Sequence, residues 1–139
     1  MRDLHNRINP SKITIVTVND NTPIVSEIVY MPPYNALEFI IAPGNLVSAT
    51  ATFTVKIEDG NVANLSDATI VADTFLLGTV ALAGFTFAND YAPRKIGYMG
   101  RKTYVRCTIT PASNASAATV AIIPILTDGG TYPTNNPPK

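Results

Sequence analysis

Apolar and polar residues alternate with a period of two along much of the chain. The clearest run is Thr52 to Glu58, where Phe53, Val55 and Ile57 alternate with Thr52, Thr54, Lys56 and Glu58. That is the pattern of a strand with one face in a core and the other in water. Further strands are expected at Lys12–Val18, Ile24–Tyr30, Ala36–Ala42, Thr79–Phe87, Lys95–Met99, Thr103–Thr110 and Thr119–Leu126, with a weaker one near Ala68–Ala72. Clusters of Pro, Gly, Asn and Asp separate them. No stretch of helical length carries a three-four apolar repeat, because β-branched residues and prolines break every window. The one place for a helical turn is Asn64–Leu77, capped by Ser66 or Asp67.

About eight short strands at near-regular spacing predict an all-β antiparallel sandwich, with a jelly roll as the expected form. The 139 residues are enough for one ordinary domain. The expected division is an N-terminal tail over 1–11, a single β-sandwich domain over 12–127, and a flexible C-terminal tail over 128–139. The last of these reads DGGTYPTNNPPK, a Pro- and Asn-rich stretch that cannot pack by itself.

Composition narrows the function more than the fold. Ten basic and ten acidic residues leave no net charge, which removes the whole-domain electrostatic argument for nucleic acid or an anionic membrane. A neutral chain either needs another source of solubility or works in an assembled state. The start, Met1 to Pro10, lacks the apolar stretch of a secretory signal, and no run is long enough to span a bilayer. Synthesis without export and no membrane partner are therefore expected. The lone Cys107 sits within an expected strand and reads as a small core residue.

Catalytic readings thin out quickly. The only histidine, His5, lies in the polar N-terminal stretch, away from any nucleophile it would have to activate. One Cys and one His cannot supply a zinc site. Glu58, Asp59, Asn61, Asn64 and Asp67 crowd one segment around Gly60, but their spacing matches no calcium loop, and Asp59–Gly60 reads as a hairpin turn. Glu27 and Glu38 read as outward-facing strand residues rather than an acid-base pair. Gly97 and Gly100 read as a tight turn, with no helix to present to a phosphate. Asn64–Ser66 and Asn114–Ser116 match the glycan acceptor pattern by coincidence. No enzyme activity, cofactor or metal is expected.

Charge is uneven along the chain. Arg94, Lys95, Arg101, Lys102 and Arg106 occur together without an acid among them, interleaved with Tyr98 and Tyr104 and preceded by Tyr91. Such interleaving suits single-stranded nucleic acid, but the acidic remainder of the domain favours a protein partner.

Three segments carry a resemblance: YNALEFIIAPGNL (Tyr34–Leu46), ATFTVKIEDGNVANLSDAT (Ala51–Thr69) and KIGYMGRKTYVRCTITPASNASAA (Lys95–Ala118). Together they resemble a family of small tailed-phage proteins described as virion structural or capsid decoration (cement) proteins. The resemblance runs from about Tyr34 to Ala118 and specifies no reactive group; the C-terminal stretch and Cys107 depart from it. It implies a jelly roll on the outer surface of an icosahedral capsid, synthesised in the host cytoplasm and located on the capsid exterior. The implied partners are the major capsid protein, whose lattice it would cement, and a second copy in a homodimer. On that reading Arg94, Lys95, Arg101 and Lys102 are the candidate capsid contacts. The alternatives are a head–tail connector or tail component, and a carbohydrate-binding virion module using Tyr30, Tyr34, Tyr91, Tyr98 or Tyr132.

Overall fold

In the computed structural model, which describes residues 3–130, the alternating runs become strands whose buried positions alternate in step. They are β1 (Ile8–Pro10), β2 (Thr14–Val18), β3 (Ile24–Val25), β4 (Val29–Tyr30), β5 (Ala36–Leu46), β6 (Thr52–Gly60), β7 (Thr69–Ile70), β8 (Leu76–Leu77), β9 (Phe85–Thr86), β10 (Arg94–Tyr98), β11 (Tyr104–Ala112) and β12 (Ala118–Thr127). In β6, Phe53, Val55 and Ile57 are buried and Thr52 and Thr54 exposed. Burying each large apolar side chain contributes roughly 1.5–3 kcal/mol, so the period fixes which face turns inward.

The strands form two antiparallel sheets. In one, β1 and β2 lie end to end along β12, followed by β5, β10 and β8. In the other, β3 and β4 lie along β11, followed by β6, which carries β7 and β9 on its far side. Pairing is nested: β2 with β12, β3 and β4 with β11, β5 with β10, and β6 with β7 and β9. A long hairpin wrapped in this way is a jelly roll. The fold is therefore the all-β antiparallel jelly-roll sandwich that the strand spacing predicts.

Between the sheets, Leu37, Phe39 and Ile41 of β5 and Ile96 of β10 share one core with Phe53 and Ile57 of β6 and Val105, Cys107 and Ile109 of β11. The Phe53 and Phe85 rings stack with centroids 4.6 Å apart.

Several local expectations change. The sheet begins inside the stretch read as an N-terminal tail, since Ile8–Pro10 pairs with Ile125–Thr127. The single strand expected over Ile24–Tyr30 is two short ones. Between them Ser26 turns its hydroxyl into the ladder and accepts the Cys107 N–H at 3.0 Å, in place of a backbone carbonyl. Thr79–Phe87 is a strand only at β9: Val80–Ala83 forms a one-turn helix, α1, because the Thr79 hydroxyl caps the Leu82 N–H at 3.1 Å and Gly84 ends it. Short Ala- and Leu-containing segments follow such a cap easily.

The turn expected at Asp59–Gly60 lies further on, because both residues end β6 and the chain reverses over the following loop. In the Asn64–Leu77 segment a 3-10 turn forms at Asp73–Phe75, capped by neither Ser66 nor Asp67. Gly97 lies within β10 rather than in a turn. At the C-terminus, Asn35 donates its N–H and side-chain amide to the Asp128 carbonyl at 3.3 and 3.0 Å. The rest of the expected C-terminal tail, 131–139, lies outside the described residues.

Cys107 has no measurable exposure, and burial pushes its thiol pKa up to about 12. The folded protein is expected to leave Cys107 unmodified by iodoacetamide at mildly alkaline pH and to be alkylated fully in denaturant, read by mass spectrometry. Rapid labelling of the folded chain would contradict the packing described.

Candidate protein-binding surface

The connection from β10 to β11, residues 99–103, projects from one end of the sandwich and is fastened from below. Its anchor is Tyr98, whose ring is 2% exposed. The Tyr98 hydroxyl donates to Asp59 Oδ2 at 2.7 Å and accepts the Lys102 N–H at 3.1 Å. Asp59 in turn accepts from the Thr69 hydroxyl at 3.2 Å. Burial, and then the Asp59 carboxylate, push the Tyr98 hydroxyl pKa well above the usual tyrosine value, so it remains a proton donor. Gly100 lies against the Tyr98 ring, and a Cβ there would overlap the phenol. Asn61 Oδ1 holds the far side of the connection, accepting the Thr103 N–H at 3.3 Å.

The neighbouring loop, 61–68, is closed by Asp67, which accepts the N–H groups of Asn61 at 2.8 Å and Val62 at 3.2 Å. Gly60 is required beneath it because a side chain there would meet the Asp67 carboxylate and Leu65. The Asn61 N–H foremost, with Val62 and the Lys102 charge helping against the burial penalty, holds the Asp67 carboxyl below the usual aspartate range.

Two open grooves flank the connection. One, of about 670 Å³, is lined by Ile70, Val71, Phe75, Met99, Arg101 and Lys102 among others. The second, of about 460 Å³, runs past Met31, Pro32, Tyr34, Asn35 and the same two cations. Ile70, Phe75 and Met99 are 70%, 56% and 48% exposed. The end of the sandwich therefore presents apolar side chains beside two exposed positive charges.

The four candidate contact residues do not form one cluster. Arg101 and Lys102 are adjacent and exposed on the connection, whereas Arg94 and Lys95 open β10. Four residue steps of strand, roughly 13 Å, separate Arg94 from Tyr98. Arg94 also shares the inward parity of Ile96 and Tyr98, and its Nε is buried without a hydrogen-bond partner among the described residues. Lys95 faces out beside Glu38. Arg106 is engaged elsewhere: it pairs with Glu58 at 3.0 Å, and Lys56 reaches the same carboxylate at 3.1 Å. Burial opposes the Glu58 charge, but these two cations outweigh it and hold the carboxyl below the usual glutamate range.

The oxygens that crowd the Glu58–Asp67 segment are committed to separate partners. Glu58 takes Lys56 and Arg106, Asp59 takes Tyr98 and Thr69, Asn61 takes Thr103, and Asn64 takes the Ser66 N–H. Of the aromatics offered for glycan stacking, Tyr98 is buried, Tyr34 packs against the core, and Tyr30 and Tyr91 are exposed. Tyr30 leans on Tyr104 with centroids 5.4 Å apart. Tyr132 lies outside the described residues.

The outer faces of the two sheets differ in chemistry. On the β11 sheet the outward positions include Thr52, Thr54, Lys56, Glu58, Arg106 and Thr110. On the β12 sheet they include Ile15, Ala121, Ile123, Ile125, Ile40 and Ala42, placed side by side by the register, with Thr17 and Thr119 at one end and Thr127 at the other. Glu38, read as an ordinary surface residue, is half-buried on this face. Burial raises its pKa, and Lys95 opposes the shift. This apolar face was missed by seeking alternation; its signal is the loss of alternation in ALEFIIA and TVAIIPIL, the composition of strands covered on both sides.

No family model matches the chain, and no curated protein does. Among solved structures it is similar to the CBM22-1–GH10 modules of the Clostridium thermocellum endo-1,4-beta-D-xylanase 10B, complexed with xylohexaose. Identity is 10% and the TM-score 0.43, over 91% of this chain and 27% of that one. The chain thus spans about a quarter of that protein's length, and a likeness of this size carries no argument about function.

Tyr98→Phe removes the hydroxyl from a buried network, leaving Asp59 Oδ2 and the Lys102 N–H short of a partner. A loss of about 1–3 kcal/mol is expected in urea unfolding, with faster hydrogen exchange at Lys102. Asp67 carries a pH signature of opposite origin. A depressed carboxyl stabilises the folded loop above the ordinary aspartate pKa and releases it as pH falls through its lower folded value. The Asn61 and Val62 amide resonances are expected to titrate below the ordinary aspartate value, and Asp67→Asn to abolish that titration.

Proposed function

We propose that this chain is a virion structural protein that binds the outer surface of an icosahedral phage capsid and stabilises the major capsid protein lattice. What carries the reading is the end of the sandwich around residues 99–103. It combines exposed Met99, Phe75 and Ile70 with Arg101 and Lys102 on a connection whose backbone is fixed by Tyr98, Asp59 and Asn61. An apolar centre with a charged rim on a pre-ordered backbone is what a protein surface recognises with little ordering cost. The residues that resemble tailed-phage decoration proteins supply the identity of the partner.

A protein that binds only the assembled shell adds its binding free energy to that state. Repetition over the lattice allows each contact to be weak. Arg101 and Lys102 face acidic residues of the capsid protein on this reading. Arg94 and Lys95 have smaller roles in it, the first because it is turned inward and the second because it lies on a different face.

The test mixes purified protein with mature shells lacking it and maps added density by cryo-electron microscopy. Ordered density outside the shell, contacting it through residues 99–103, is the expected outcome. Arg101→Glu with Lys102→Glu is expected to weaken capsid binding at least about tenfold and to steepen its salt dependence, while leaving thermal unfolding unchanged. Density at the portal or tail instead would sink the cement reading and favour the connector.

A further inference from the structure

We propose that the groove past Met31, Pro32, Tyr34 and Met99 is the seat of the chain's own C-terminal segment, with Tyr132 and Pro133 laid against those side chains. Such a seat belongs to the isolated chain and does not rest on the capsid reading.

The path of the backbone leads there. β12 ends at Thr127, and Asp128 and Gly130 then both take left-handed backbone, with φ of 58° and 67°. For Asp128, which is not a glycine, that conformation has a cost. It is held by Asn35, which gives its N–H and its side-chain amide to the Asp128 carbonyl. Gly129 then lies against Tyr34, where a Cβ would stand 2.8 Å from two carbons of the ring. Tyr34 and Asn35 both line the groove of about 460 Å³. The chain is therefore turned off β12 and brought to the edge of this groove. Tyr132 is two residues beyond Gly130, a reach of roughly 7 Å. The larger groove, with Ile70 and Phe75, touches neither Tyr34 nor Asn35.

Composition matches the segment to that wall. TYPTNNPPK, residues 131–139, has one aromatic ring and three prolines. Proline-containing chain has little backbone freedom to lose and is what aromatic-lined grooves accept. Met31, Pro32, Tyr34 and Met99 supply the apolar and aromatic surface, and methionine adapts its shape to a ring laid on it. The segment has no acidic side chain, so it has none to offer Arg101 and Lys102, which also line the groove. It covers the apolar wall and leaves both charges outward. A tether of two residues gives Tyr132 an effective concentration on the order of millimolar, so a contact too weak to hold a free peptide suffices here. With this groove filled, a partner at residues 99–103 meets Arg101, Lys102 and the groove of Ile70 and Phe75.

The experiment uses the full chain, free of any shell, with 13C at the methyls of its three methionines. Nuclear Overhauser contacts from the Met31 and Met99 methyls to the Tyr132 ring are expected, unchanged on tenfold dilution and lost in Tyr132→Ser. The chain has no tryptophan, so Tyr132→Trp gives a second readout. Acrylamide is expected to quench that indole at least about threefold more slowly than in the free peptide TWPTNNPPK. Met99→Lys, a change at an exposed side chain, is expected to bring quenching up to the peptide's rate with circular dichroism unchanged. Quenching of Tyr132→Trp as fast as in the peptide, or contacts of Tyr132 with neither methyl, would overturn the proposal. So would contacts found only between differently labelled chains, which would seat the segment on a second copy. Because no capsid is present, failure here and failure of the cement reading remain distinguishable.

Discussion

The hydrogen bond from Tyr98 to Asp59 joins the two sheets where the sandwich opens. Tyr98 ends β10 in one sheet and Asp59 lies near the end of β6 in the other, and their 2.7 Å contact is buried. A carboxylate in that position is costly unless its oxygens are occupied. Tyr98 fills one and Thr69 the other. The phenol oxygen then has a lone pair to spare, and the Lys102 N–H takes it. One satisfied buried network therefore sets the separation of the sheets at this end, the path of residues 99–103, and the place of Arg101 and Lys102 above the grooves. The glycine at position 100 follows from the same contact, since the chain must pass directly over the ring.

A second constraint comes from having two sheets with unlike outer faces. The core requires inward apolar residues from both, and the register supplies them on alternate positions. Nothing in the core dictates what faces outward. On the β11 sheet those positions hold threonines and the Lys56–Glu58–Arg106 group, with Val25, Tyr30 and Ile70 exposed on its edge strands. On the β12 sheet they hold isoleucine and alanine between threonines at either end, with one half-buried carboxylate beside one lysine. Isoleucine at such positions lies outside the sandwich core, where its β-branched side chain stabilises the sheet through cross-strand contacts such as Ile40 with Ile123.

Much of the fold was legible because period two dominates. β6, β10, β11 and β12 lie within a few residues of their expected positions, and their number and spacing implied the sandwich. The failures share a cause: a side chain replaced or redirected a backbone hydrogen bond. Ser26 interrupts the strand expected over Ile24–Tyr30, Thr79 caps α1 where a strand was read, and Asp67 moves the turn away from Asp59–Gly60. Each such bond depends on a partner distant in sequence or on a local cap that competes with alternation. The binding surface was half legible. Arg101 and Lys102 were visible as charges, but Tyr98 as the anchor of their connection was not, because a tyrosine in an alternating strand looks like any other. Arg94 was misplaced for want of parity: counting from Ile96 and Tyr98 turns it inward.

The two surfaces bear on the chain's neutrality. Ten positive and ten negative residues give no net repulsion between copies, and a neutral protein with an apolar face would ordinarily be at risk of indiscriminate association. Glu38 and Lys95 interrupt the isoleucines of the β12 sheet, so a second surface that superposes like charges on them is penalised. Residues 99–103 project from the end of the sandwich, away from that face, so the charges of Arg101 and Lys102 act independently of it.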